Sequence, residues 1–174
     1  MNIKKELLKE NSKKKTTKIV NYVGGSPARF KILVKNFLAG PYRVTQRAAW
    51  PLAYCVQEHP KLITPHLKPI LKMLDKKDAH VAVKRNIMRL LQDVEIPKKL
   101  YGMLIDKCFA LMDPQEPIAV RVFSMSVLAN IAMHEPDLKK ELIIVIEDQL
   151  PYGSAGFLSR ARKVLKQLSV TSHQ

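Results

Sequence analysis

Three segments of this chain open in the same way, and their spacing constrains the fold more than any other feature. They are "EHPKLITPHLKPILKML", "VEIPKKLYGMLIDKCFALM" and "MHEPDLKKELIIVIEDQL". Each places a proline ahead of a stretch with apolar residues at i, i+3 and i+4, the pattern of a helix with one buried face. The prolines are Pro60, Pro97 and Pro136, 37 and 39 residues apart. The segments preceding them also correspond: "RAAWPLAYCVQ", "RNIMRLLQDV" and "FSMSVLANIAM". A proline stops the helix before it, because it lacks an N–H and clashes with the preceding turn. In the first turn of the next helix it does no harm, since that N–H has no partner in any case. A helix pair recurring at this interval implies a stacked helical array.

Other local signals agree. Ser26-Pro27 and Thr64-Pro65 read as an N-cap followed by a first helical residue. Gly40-Pro41 reads as a helix stop. The pattern predicts helices near 3–10, 16–24, 27–39, 42–58, 62–75, 79–94, 97–112, 116–133, 136–149 and 154–169, with "NSKKK" at 11–15 as a charged turn. Only 6 glycines stand against 11 prolines, so hairpin turns are scarce and an all-β fold is disfavoured.

The stretch from Ser26 to Leu168 resembles the HEAT-repeat superfamily. "AVKR" at 82–85 and "AVRV" at 119–122 resemble the start of that family's first helix. Pro51 matches its kinking proline, and Asp78, six residues before Lys84, resembles its inter-helix aspartate. Gln115 and Gly153 stand where two further aspartates are expected. Arg47, Arg85 and Arg160 recur at about one and then two periods. Tetratricopeptide arrays have a shorter period and an aromatic-glycine pattern missing here, while armadillo arrays are close neighbours. The resemblance implies an all-α fold: a right-handed α–α superhelix of about four helix hairpins plus a capping helix. Residues 1–174 are expected to form a single repeat domain, with 1–15 as a charged N-terminal extension and 170–174 as a frayed tail. On the same alignment, Trp50, Leu52, Leu90, Leu91, Leu128 and Ile131 are expected in the inter-helix core.

Charge carries the functional signal. The net charge is +15, and 12 of those charges lie before Ala82. That gradient implies an acidic partner for the N-terminal half. In 27–39 the apolar set Phe30, Leu33, Val34, Phe37 and Leu38 leaves Lys31 and Lys35 facing outward. In 62–75 the set Leu67, Ile70, Leu71 and Leu74 leaves Lys68, Lys72 and Lys76. In this superfamily the second helix of each pair lines the concave face. These five lysines are therefore the candidate binding residues for a polyanion or an acidic partner. In 97–112 and 136–149 the outward residues are mixed: Lys99, Asp106 and Lys107, then Lys139, Lys140, Glu147 and Asp148. A lysine-rich solvated face is the competing reading. Lysine rather than arginine favours diffuse attraction over bidentate readout.

Sites for catalysis and metal are weaker. Cys55 and His59 lie four apart with His66 beyond, but no fourth ligand is apparent, and no metal or other cofactor is expected. "GSAGFLSR" at 153–160 reads as a loop before a helix rather than an anion cradle. Some HEAT-like proteins are DNA glycosylases that pair aromatic residues with an acidic residue on one helix. Here Tyr54 stands where the acid is needed, so Trp50 reads as a structural residue. Two lone cysteines, no spanning apolar run and no leader pattern point to the cytoplasm, without membrane association. The expected function is a non-catalytic binding scaffold for an acidic macromolecule. A protein is preferred as partner, and nucleic acid is the alternative.

Overall fold

The computed structural model describes residues 1–76 and 80–170. Among these there is no strand. The α-helices are α1 (Ile3–Lys9), α2 (Lys13–Val23), α3 (Pro27–Ala39), α4 (Tyr42–Glu58), α5 (Leu67–Lys72), α6 (Val81–Leu91), α7 (Tyr101–Ala110), α8 (Ile118–Ala132), α9 (Pro136–Gln149) and α10 (Ala155–Val170). The fold is all-α, as the repeat predicts. It comprises two compact units, Met1–Glu95 and Ile96–Gln174. Asp78, read as the inter-helix aspartate, lies outside the described residues, as do 171–174 of the expected tail.

Local chemistry sets most helix ends. Ser26 Oγ accepts from the Arg29 N–H at 3.4 Å, with Pro27 in the first turn of α3. Ser12 Oγ accepts from the Lys15 N–H at 3.3 Å, so α2 starts at Lys13, inside the segment expected as a charged turn. The sequence places three lysines there, but a serine side chain that satisfies an orphan N–H favours the helix. Gly24 ends α2 at φ 49, a conformation that favours glycine. At Gly40 a Cβ would stand 2.5 Å from the Asn36 carbonyl oxygen, so only glycine permits that helix stop.

Two expected helices are shortened by 3-10 turns. The segment 62–75 begins with 3-10 turns at Pro60–Leu62 and Thr64–His66, and Met73–Asp75 is again 3-10. Thr64 does not act as an N-cap, because it already sits in helical geometry within the 3-10 turn and Ile63 occupies the cap position without a side-chain bond. Prolines at 60, 65 and 69 each remove a backbone donor, which limits the length of any regular α-ladder. Likewise 97–112 opens with a 3-10 turn at Lys98–Leu100.

In the first unit α4 is the central helix, with α1, α2, α3 and α6 packed around it. Its core row is Val44, Ala48, Leu52, Cys55 and Val56, all buried. Pro51 is also buried, inside the helix. The expected core positions Leu52, Leu90 and Leu91 are buried, but Trp50 is not: it is 42% exposed. The cause is helical phase. Leu52, Leu90 and Leu128 repeat at an even 38 residues, whereas Trp50 lies two residues off that register. Two residues turn a side chain about 200° around a helix.

The segment expected as a charged extension packs into this unit. Ile3 and Leu7 of α1 are buried. Glu6, 7% exposed, receives Lys9 at 2.8 Å, Lys18 at 3.3 Å and Lys15 at 3.5 Å, joining α1 to α2. The Lys9 hydrogen bond, aided by Lys18, holds its carboxyl at about 2 against the opposing effect of burial.

In the second unit α8 is central, flanked by α7, α9 and α10. It is buried almost all round, through Val120, Val122, Met125, Val127, Leu128, Ala129, Ile131 and Ala132. Ser124 and Ser126 donate back to the Val120 and Val122 carbonyls at 2.9 and 3.0 Å, which satisfies their hydroxyls within the helix.

Candidate macromolecular interface

The five candidate lysines, Lys31, Lys35, Lys68, Lys72 and Lys76, are all exposed and all lie in the first unit. Phe30, Leu33, Val34 and Phe37 hold the buried side of α3, so Lys31 and Lys35 face outward one turn apart. Leu67, Ile70 and Leu71 do the same for α5, leaving Lys68 and Lys72 one turn apart. α3 meets the 3-10 turn just ahead of α5, where the Phe30 ring tilts against the His66 ring with centroids 5.6 Å apart. Lys31 is close enough to lower the His66 pKa, second to the effect of burial. Lys76 departs from the expected stripe. The helix tightens after Lys72, and Lys76 becomes the extended cap of the 3-10 turn rather than a third rung.

No ion pair or hydrogen bond engages the ammonium of any of these five lysines among the described residues. Elsewhere in the unit Lys9, Lys15 and Lys18 all converge on Glu6. The candidate stripe is thus set apart from the lysines used to hold the fold. Lys35 also lines a groove of about 640 Å³ between the start of α1 and the face of α3, together with Asn2, Lys4, Ile32, Asn36 and Ala39. Ile32 is 49% exposed there, which gives the groove an apolar wall beside its two ammonium groups.

Cys55, His59 and His66, weighed as metal ligands in the sequence, do not converge. Cys55 is 1% exposed in the core, and burial, with a smaller effect from Glu58, pushes its thiol up to about 12. His59 lies against Gly25, and His66 turns to Phe30. Among the described residues no three His, Cys, Asp or Glu side chains gather into a group that could hold a metal ion. Cys108 is fully buried, and burial raises its thiol pKa as well. No described helix is long and apolar enough to cross a membrane.

The "AVRV" arginine, Arg121, is 8% exposed. With Gln115 in place of the aspartate, its Nη2 donates instead to Gln149 Oε1 at 2.6 Å, and the guanidinium lies 4.6 Å over the Phe157 ring. Its Nε is buried with no hydrogen-bond partner among the described residues. The recurring arginines likewise have different partners. Arg47 bonds the carbonyls of Leu7 and Leu8, Arg160 donates to Ser126 Oγ at 2.6 Å, and Arg85 is exposed.

Sequence reasoning missed the outward face of α4. Trp50 and Tyr54 stand there one turn apart, 42% and 43% exposed. The apolar character of Trp50 pointed to the core, and only the packing of α4 reverses that assignment.

Comparison with known proteins bears on the fold. The family model described as HEAT repeat domain matches residues 3–168. The chain is similar to an engineered protein known from its crystal structure, with 16% identity and a TM-score of 0.61, over 97% of this chain and 80% of that one. That likeness concerns the fold alone. No curated protein matches the chain.

Proposed function

Since the chain belongs to the HEAT repeat domain family, we propose that it is a non-catalytic binding scaffold whose residues 1–174 work together as one repeat domain. Its partner is an acidic macromolecule, a protein in preference to nucleic acid, and its compartment is the cytoplasm. Helical repeat arrays act through extended surfaces rather than reactive clusters. The observation that carries this reading is the set of exposed ammonium groups of Lys31, Lys35, Lys68, Lys72 and Lys76, unpaired among the described residues, on α3, α5 and the turn that follows. Like charges held together repel one another, so an acidic ligand there both binds and stabilises the folded chain. The groove beside Lys35, with exposed Ile32 in its wall, supports a protein partner, because it offers apolar contact along with charge.

The test compares two double reversals, Lys35→Glu with Lys72→Glu and Lys139→Glu with Lys140→Glu, for binding to polyglutamate and to a single-stranded oligonucleotide. The first pair is expected to weaken polyglutamate binding about tenfold or more, and the second much less. Equal responses would reduce the attraction to net charge and sink the lysine-stripe reading. Oligonucleotide binding that is stronger than polyglutamate binding and falls steeply with salt would shift the partner to nucleic acid.

A further inference from the structure

A second surface of the first unit has a different chemistry. Trp50 and Tyr54 are both more than two-fifths exposed on α4. Neither the indole N–H nor the phenol has a hydrogen-bond partner among the described residues. Aromatic side chains of this size with free polar tips, next to arginine, have the composition of interface hot spots. Arginine is present. Arg85 and Arg89 are exposed one turn apart on α6, the helix beside α4, and Arg43 is exposed two turns before Trp50. No hydrogen bond or ion pair holds any of these three guanidinium groups among the described residues.

Tyr54 stands between two slots, and Trp50 joins it in lining one of them. On the α6 side a slot of about 70 Å³ is lined by Trp50, Tyr54, Gln57, Arg89 and Asp93. On the α2 side a slot of about 210 Å³ is lined by Lys13, Thr17, Asn21, Tyr54 and Glu58. These are small beside the several hundred Å³ of a typical small-molecule pocket. They suit single side chains. Each slot also holds a carboxylate, Asp93 in one and Glu58 in the other. A run of phosphates along this face would meet both acids and be repelled. A polypeptide of mixed charge meets them with N–H or ammonium donors, while its own carboxylates reach the arginines. Guanidinium matches carboxylate in a two-bond fork, which fixes orientation as well as adding energy.

We infer that the α2–α4–α6 face is a docking surface for a net-acidic protein segment, which seats an apolar side chain against Trp50 and Tyr54 and places carboxylates on Arg85 and Arg89. The inference rests on the scaffold reading above but uses residues separate from the lysine stripe, so each surface fails or stands by its own variants.

Trp50 is the only tryptophan, so the tryptophan emission of the full chain, excited selectively beyond tyrosine absorption, reports this face alone. A library of random 16-residue peptides lacking tryptophan is selected on the full chain, with counter-selection on the Arg85→Glu, Arg89→Glu variant. The expected winners carry Asp or Glu around a Leu, Phe or Tyr, and their binding shifts Trp50 emission to shorter wavelength. Arg89→Glu is expected to weaken the winning peptide about tenfold or more, and Arg89→Lys to restore part of it. Trp50→Ala, read by peptide-borne fluorescence, is expected to weaken it comparably. Lys35→Glu with Lys72→Glu should leave it within about threefold. Unchanged helical circular dichroism at the assay temperature and a cooperative melt above it establish that each variant is folded. The inference is overturned if no acidic peptide is enriched, or if winners bind without moving Trp50 emission. It is equally overturned if a twelve-nucleotide thymidine strand competes the winners away with steep salt dependence, which would make this a nucleic-acid face. Self-association that Trp50→Ala abolishes would make the occupant a second copy of the chain and would also overturn it.

Discussion

Arg47 Nη1 donates to the carbonyl oxygens of Leu7, at 3.0 Å, and Leu8, at 3.1 Å, so one guanidinium on α4 closes the end of α1 some forty residues earlier in the chain. The last carbonyls of a helix have no partner within it, and a cation there satisfies them and complements the helix dipole. Arg47→Ala is expected to cost about 1–2 kcal/mol. The loss should be local, with α1 amides exchanging faster while those of α8 stay protected. Hydrogen exchange followed by mass spectrometry checks this, and unchanged α1 protection would remove the anchoring role of Arg47.

The 38-residue register makes a contrast between two apolar residues. Leu90 and Leu128 are 5% and 0% exposed. Truncating either to Ala is expected to cost about 2–5 kcal/mol through lost burial and a residual cavity. Trp50→Ala removes far more atoms but from a surface position, and about 1 kcal/mol or less is expected. Urea denaturation of the three variants decides the matter. A Trp50→Ala cost matching that of the leucines would put the indole back in the core.

Arg121 is a buried cation held by an amide and an aromatic ring, with no carboxylate opposite it among the described residues. Removing Gln149 leaves the guanidinium less satisfied, so Gln149→Leu is expected to destabilise by about 1–3 kcal/mol. Arg121→Met removes the charge and keeps much of the volume, and the expected change is within about 1 kcal/mol of zero. Thermal melts of the two variants test the asymmetry. If Arg121→Met is the more damaging, the guanidinium stabilises the unit in its own right.

His66 supplies a pH dependence. Burial first, then the charge of Lys31, lowers its folded pKa from the ordinary 6.5. Above 6.5 the imidazole is neutral in both states and contributes nothing to the pH slope. As pH falls below that value the unfolded chain takes up a proton that the folded chain resists, and stability declines until the folded pKa is reached. Lys31→Gln is expected to raise the His66 pKa part of the way, since burial remains. Imidazole titration by NMR gives both values. A His66 midpoint at or above 6.5, or one unmoved in Lys31→Gln, contradicts the stated cause.

Much of the fold is legible in the sequence because helix formation is local. Ser26 with Pro27 and Gly40 with Pro41 fix the limits of Pro27–Ala39, and the structure keeps Tyr42–Glu58 as the pattern predicts. Leu52, Leu90 and Leu128 announce the core through their period alone. The outward setting of Lys31, Lys35, Lys68 and Lys72 follows from the apolar residues beside them, because a helix with one buried stripe must expose the rest.

Other features depend on which neighbour covers which side of a helix, and no local pattern records that. Trp50 is apolar and close to the register, yet α1, α2, α3 and α6 pack around α4 so as to leave its side open. The partners of Arg47 and Arg121, 40 and 28 residues away, come from chain folding back on itself. Lys76 leaves the stripe because the helix tightens into a 3-10 turn. The sequence by itself determined the helices, their period and the sign of the surface charge, since each is set by residues within a few turns of one another. The tertiary structure decided where Trp50 and Tyr54 point, which arginines stay free among the described residues and which slots Tyr54 lines, because helix-on-helix packing joins residues that the chain keeps far apart.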